Sequence, residues 1–204
     1  MTRPAEIRVL LLTRYPPDGA SSRVRFYQYL ELLREDGIAV SVAPFFDADY
    51  VPQRYAGNPT SAFSLLVAYT KRMGRLLRAG RFDLIWIEYD ALPWLPKAIE
   101  SLMLSRRPYV VDYDDAIFVR YGEHANRWRR ALVADKIAGI MRRAAVVTAA
   151  NERLAEYARA SGASRVEYCP TAIDIQRYEV HEPSISSGPA VNGWIGSPST
   201  APYL

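Results

Sequence analysis

Ile7-Arg-Val-Leu-Leu-Leu-Thr13 runs into Arg14-Tyr-Pro-Pro-Asp-Gly19 and then Ala20-Ser-Ser-Arg-Val-Arg25-Phe26. The first stretch is nearly unbroken in its apolar character, as expected for a strand buried on both faces. The prolines, the aspartate and the glycine that follow are turn chemistry. Ser21 or Ser22 supplies an oxygen that can cap a helix, since a serine oxygen accepts an orphan amide in the first turn. Phe26, Leu30 and Leu33 then recur at helical spacing, and Gly37 ends the element. A buried strand, a turn and a helix in this order begin an α/β unit.

The same alternation continues along the chain. Apolar runs at 38–43, 82–87, 108–112, 145–149 and 165–169 predict five further strands. Between them, residues 61–78, 91–104, 128–143 and 151–161 carry helical periodicity, the last closed by Gly162. In the first of these helices Ala62, Leu66, Tyr69, Met73, Leu76 and Leu77 share an apolar face, with Lys71, Arg75 and Arg78 opposite. Residues 44–59 lack a pattern and are expected to form a loop. Strands separated by helices make a parallel sheet, because a parallel connection needs a crossover. The predicted fold is therefore α/β, a doubly wound, Rossmann-like parallel sheet with right-handed crossovers. Such sheets bind ligands outside the carboxyl ends of their strands, where the strand order reverses. The pattern assigns residues 1–178 to this domain. The polar, serine- and proline-bearing stretch 179–189 is a linker, and residues 190–204 are the truncated start of a second domain.

Composition narrows the class. Half of the 204 residues are hydrophobic, which is globular and not disordered. A net charge of +4 is modest for a nucleic-acid binder, and none is expected as a partner. Cys169 is the only cysteine, so no internal disulfide forms; it is expected to be a small buried hydrophobe in a reducing, cytoplasmic setting. No apolar run approaches the ~20 residues of a membrane span. Lys71, Arg75 and Arg78 fit either a solvated helix face or peripheral contact with an anionic membrane.

A loop entering a helix offers free amides and a positive dipole end to an anion, and Arg23 and Arg25 add fork-shaped donors. An ordinary capped helix with solvated arginines fits the same residues. Several stretches in order resemble a known family. Gly19-Ala-Ser-Ser-Arg-Val-Arg-Phe26 with Tyr29-Leu-Glu-Leu-Leu-Arg-Glu-Asp-Gly37 is similar to the opening of the GT-B retaining glycosyltransferases, of the family 4, "group 1" type. Asp112-Tyr-Asp-Asp-Ala-Ile-Phe118 is typical of one bacterial branch, and Pro170-Thr-Ala-Ile-Asp174 with Arg177-Tyr178 resembles the end of its first domain. Gly193-Trp-Ile-Gly-Ser-Pro198, continuing to Leu204, resembles the opening of its second domain.

The resemblance implies the acceptor-side half of a two-domain cleft enzyme. In full length it would transfer a sugar from a nucleotide-sugar to a glycan or lipid-linked acceptor with retention, in cell-surface glycan synthesis. It implies no cofactor and no metal, and a chain inactive without its donor-binding half. Gly19, Ala20, Ser21, Ser22, Arg23 and Arg25 would border the cleft, together with Glu88 beside Tyr89 and with Asp114 and Asp115. Asp115 is the weak catalytic candidate, for sugar hydroxyls or a hydroxyl proton, with capping of the next turn as its structural alternative. Many relatives carry a histidine there, whereas here the nearest is His124. Gly193, Gly196 and Ser197 would form the donor-diphosphate loop. Two other classes fit the residues: a stand-alone flavodoxin-like binding or regulatory module, and a metal-dependent transferase built on Asp112 and Asp114 as a D-x-D pair. His124 and His181 lack ligand partners at metal spacing.

Overall fold

A computed structural model describes residues 6–105, 107–123 and 126–175. All six predicted strands are present: β1 (Ile7–Leu12), β2 (Ile38–Val42), β3 (Leu84–Glu88), β4 (Tyr109–Tyr113), β5 (Val146–Ala149) and β6 (Val166–Tyr168). They form one all-parallel sheet in the order β2-β1-β3-β4-β5-β6. The chain steps from β1 to the edge at β2, returns past β1, and then adds every later strand on the other side. The order therefore reverses between β1 and β3, and their carboxyl ends flank the crevice where such sheets bind ligands. Linker 179–189, residues 190–204, His124 and His181 lie outside the described residues, as do Gly193, Gly196 and Ser197.

The core follows from the alternation of side chains along the strands. Ile85, Ile87, Val111, Tyr113, Val147 and Ala149 are buried beneath a layer of helices. That layer comprises α4 (Ala62–Leu77), α5 (Lys97–Leu104), α8 (Lys136–Arg143) and α9 (Glu152–Ala160), in side-by-side contact in that order. The connection from β1 to β2 carries α1 (Ala20–Arg25) and α2 (Leu30–Glu35), with α2 against β2. There Phe26 meets Trp86 edge-on at 5.0 Å between ring centres.

The structure corrects several sequence expectations. Helix 21–36 is broken at Phe26 into α1, a single 3-10 turn and α2; Gly37 still ends it, with φ of 79°. Helix 91–104 starts only at Lys97, because Pro93 and Pro96 interrupt it and the Glu100 carboxylate takes the N–H groups of Ala91 and Leu92 at 2.6 and 3.1 Å. Helix 128–143 is split between α7 (Arg127–Val133) and α8. Short helices α3 (Tyr50–Tyr55) and α6 (Ile117–Gly122) occupy stretches with no recognised period. Cys169 is exposed, since it follows the edge strand β6 and nothing among the described residues covers it.

The largest correction concerns α4. Its buried face is Ala68, Arg72 and Leu76, whereas Leu66 and Leu77 are 63% and 75% exposed. A buried arginine rotates the helix away from the orientation that hydrophobicity alone selects. Arg72 donates to the carbonyl of Thr13 at 2.6 Å and lies against the Phe45 ring. Burial, with the nearby charge of Arg14, lowers its pKa to about 10.

Candidate functional site

The site is built on the tip of β3. Glu88 is its last residue and is buried, although a lone buried carboxylate would be costly. Three donors meet it, one from the β1–α1 connection and two from α1: the N–H of Arg14 at 2.6 Å, the Ser21 hydroxyl at 2.8 Å and the Ser22 hydroxyl at 2.6 Å. Ser21 and Ser22 thus cap no helix. Both lie inside α1, whose amino-terminal flank is Gly19 with no side-chain cap, and their hydroxyls tie the loop to β3 instead. Gly19 has a steric reason to be glycine, because a Cβ there would fall 2.2 Å from the Tyr15 Cβ.

Past Glu88 the chain turns through Tyr89, whose φ is 64°. The N–H of Asp90 donates to the Glu88 carbonyl at 2.9 Å across it, making a three-residue turn of the rare, strained hand. The surroundings hold it in place. The Tyr89 N–H donates to the Asp112 carbonyl at 3.0 Å, and the Tyr113 hydroxyl donates to the Tyr89 carbonyl at 2.8 Å. The Tyr89 hydroxyl donates to Asp114 and lies 3.3 Å from Ser21 Oγ. Burial and the Asp114 charge keep that phenol far above its ordinary pKa, so it is a neutral donor. Ser21, Glu88, Tyr89 and Asp114 therefore form one hydrogen-bonded chain across the crevice.

Other sequence-selected residues are placed differently. Arg25 is buried and turned inward: Nε and Nη2 grip Asp112 at 2.9 and 2.5 Å, and Nη1 donates to the Cys169 carbonyl at 2.7 Å. Asp112 also accepts from Thr148, so both ends of this pair are committed to protein partners. Ala20 and Arg23 are exposed at the mouth. Asp115 is exposed, and its Oδ1 accepts the N–H of Ala116 at 2.7 Å, as a turn cap does. Among the described residues no three His, Cys, Asp or Glu side chains group closely enough to hold a metal ion.

Behind the tip lies a charge network with no counterpart in the sequence reading. Asp90 is paired with Arg14, accepts from the Tyr121 hydroxyl at 2.7 Å and meets the Lys136 ammonium at 2.8 Å. Lys136 also reaches Glu100 at 2.9 Å and the Leu92 carbonyl. Arg14 lies over the Tyr89 ring at 5.4 Å, coupling network and tip. One signal was available. Lys136 falls three residues after Val133 and four before Ile140, on the buried side of its helix.

Burial raises the pKa of Glu88 despite its three donors. A carboxylate whose folded pKa exceeds its unfolded one stabilises the fold below the unfolded value. It loses that contribution as pH rises through the folded value. Glu88→Gln cannot titrate. The stability of wild type relative to this variant is therefore expected to be greatest near the ordinary carboxylate value of 4.5 and to shrink as the pH rises toward neutrality and beyond. Urea denaturation of both proteins across that range checks it; a difference constant with pH would contradict the assignment.

A parallel α/β sheet whose order reverses between β1 and β3, with a polar cluster at that reversal, defines a Rossmann-like domain. The sequence model described as "Glycosyl transferase 4-like domain" matches residues 3–172, and the chain belongs to that family. Among curated proteins, none matches the chain.

Proposed function

We propose that this chain is the acceptor-side half of a glycosyltransferase that uses a nucleotide-sugar donor and retains the sugar's configuration, in the synthesis of cell-surface glycans. The observation that carries the reading is the Ser21–Glu88–Tyr89–Asp114 chain at the strand-order reversal of a family member. Such a chain suits a sugar acceptor, because adjoining carboxylate and hydroxyl groups can accept from and donate to neighbouring sugar hydroxyls. Asp114 and the exposed Asp115 are the proposed acceptors for those hydroxyls, and Arg23 at the mouth is the proposed anion contact. Positioning of this kind contributes to transfer by orienting the attacking hydroxyl. The reading places the work on the cytoplasmic side and requires no cofactor.

An NMR titration of the chain tests the proposal. Acceptor-type saccharides are expected to shift the amides of Ser21, Arg23, Asp114 and Asp115. Asp114→Asn is expected to weaken that binding about tenfold, as loss of a charge-assisted hydrogen bond does. Nucleotide-sugars alone should shift them little. Shifts that cluster elsewhere, or saccharides that shift nothing, would remove the reading. The strand order favours one second reading, since β2-β1-β3-β4-β5 is the order of flavodoxin-like modules. A stand-alone binding module would show tight binding of a single small ligand and no saccharide response.

A further inference from the structure

Two loops set aromatic rings beside the β3 tip. Phe46 follows β2, and its N–H donates to the Arg14 carbonyl at 3.2 Å, while the Arg14 N–H holds Glu88. Tyr15 follows Arg14, and its N–H donates at 3.1 Å to Ser22 Oγ, the same hydroxyl that binds Glu88. Tyr50 opens α3 and lies face to face with Phe46, the ring centres 3.7 Å apart and the planes 13° from parallel. Tyr15 is 5.9 Å from Phe46 and 5.8 Å from Tyr50, within 29° of parallel to both. A ring equidistant from two stacked rings stands beside the stack and leaves their outer faces uncovered by it. All three residues are half-buried, so part of this aromatic surface meets solvent.

Packing alone does not account for this arrangement. Aromatic pairs prefer offset or edge-on contact to a face-to-face sandwich. Phe45, buried one residue before Phe46, follows that preference and meets Phe46 at 83° and Tyr69 at 75°. The Phe46–Tyr50 pair departs from it, and does so beside the crevice. Burial raises the pKa of the Tyr15 phenol, and the charges of Arg14, Glu88 and Arg120 reach it, so a neutral ring stands among the charged groups of the site. Flat, parallel faces beside a row of carboxylate and hydroxyl groups match one kind of molecule. A pyranose turns its hydroxyls outward from the rim and C–H bonds toward its faces, so it needs polar partners at its edge and an apolar surface under its face. An open-chain polyol has the hydroxyls without the face, and a nucleobase has the face without the hydroxyl rim. The geometry points to Tyr15, Phe46 and Tyr50 as a stacking platform that selects a pyranose ring as the terminal residue of the acceptor. This rests on the acceptor-side reading above and narrows it to a substrate class.

Methyl β-glucopyranoside titrated into the whole chain tests the platform by NMR. Its ring C–H protons are expected to move upfield, as protons held over an aromatic face do. Sorbitol, which has no ring, should bind at least about fivefold more weakly, the worth of one aromatic contact. Phe46→Leu and Tyr50→Leu keep the apolar bulk and remove the flat face; each should weaken the glucoside about fivefold, whereas Tyr50→Phe should bind as wild type does. Melting temperatures establish that the variants fold, and if a leucine variant does not, the upfield shift in the wild type decides alone. The platform is overturned if the glucoside binds in a manner that depends on Asp114 while its protons stay unshifted. Leucine variants that bind as wild type does, or a preference for uridine over the glucoside, overturn it as well. No response to the glucoside or to any larger saccharide removes the acceptor reading along with it.

Discussion

Lys136→Met is expected to destabilise the domain by about 3–5 kcal/mol, the cost of stripping one partner from a buried ion pair. The substitution keeps the length of the side chain and removes only the ammonium. That ammonium sits 2.8 Å from Asp90 and 2.9 Å from Glu100, with all three side chains shut off from solvent. Without it, Arg14 still pairs with Asp90, but Glu100 retains only the N–H groups of Ala91 and Leu92. Two carboxylates would then share one dry site. For a domain of this size the loss corresponds to a fall of roughly 10 °C in melting temperature.

The pH dependence has a definite sign. In the wild type, burial works against the Lys136 charge, yet Asp90 and Glu100 raise its pKa above 10.5. Its contribution is therefore complete below that value. Lys136 and Arg14 hold Asp90 below its ordinary 3.8 against the cost of burial, so this contribution is lost only in strong acid. In the methionine variant the carboxylates take up protons more readily folded than unfolded, and acid restores stability. The deficit should be largest near pH ~8 and smaller near pH ~5, and Glu100→Gln in the same chain should recover part of it. Urea unfolding at the two pH values measures both effects. A deficit below about 1 kcal/mol, or one indifferent to pH, would show that the network carries little of the fold.

Arg25→Met is expected to cost a similar ~3–5 kcal/mol, with a more local signature. Arg25 joins three parts of the chain: α1, which carries it; the end of β4 through Asp112; and the segment after β6 through the Cys169 carbonyl. Gln28 adds a second tie, donating to the Ala172 carbonyl at 2.9 Å. Loss of the guanidinium strands Asp112 and loosens the carboxyl edge of the sheet. The amide of Cys169, bound to the Ala149 carbonyl at 2.9 Å, should then exchange with solvent much faster. Combining Arg25→Met with Asp112→Leu removes both charges and should regain a substantial part of the loss. Hydrogen exchange and thermal melts of the single and double variants decide the matter. A double variant no better than the single would mean that the pair contributes geometry beyond its charge.

Most of the architecture was legible from local pattern. Strands buried on both faces announce themselves as short apolar runs, and Gly37 and Gly162 mark helix ends because the left-handed backbone they adopt, at 79° and 85°, favours glycine. The site was legible in part. Strand-end positions pointed to Ser21, Glu88 and Asp114, which the fold does bring together. The same positional argument points to Arg25, and the D-x-D pattern to Asp112, but in the fold they satisfy each other instead of facing the crevice.

What the amino-acid order determined by itself was the alternation of elements and hence a parallel sheet, since periodicity is a property of neighbouring residues. Tertiary structure alone decided which charges are buried, which face of α4 turns inward and where β3 sits beside β1. A lysine or arginine costs little on a surface and much in a core, unless partners distant in sequence surround it. Lys136 finds Asp90 and Glu100, and Arg72 finds the Thr13 carbonyl, only after the chain has returned across the sheet.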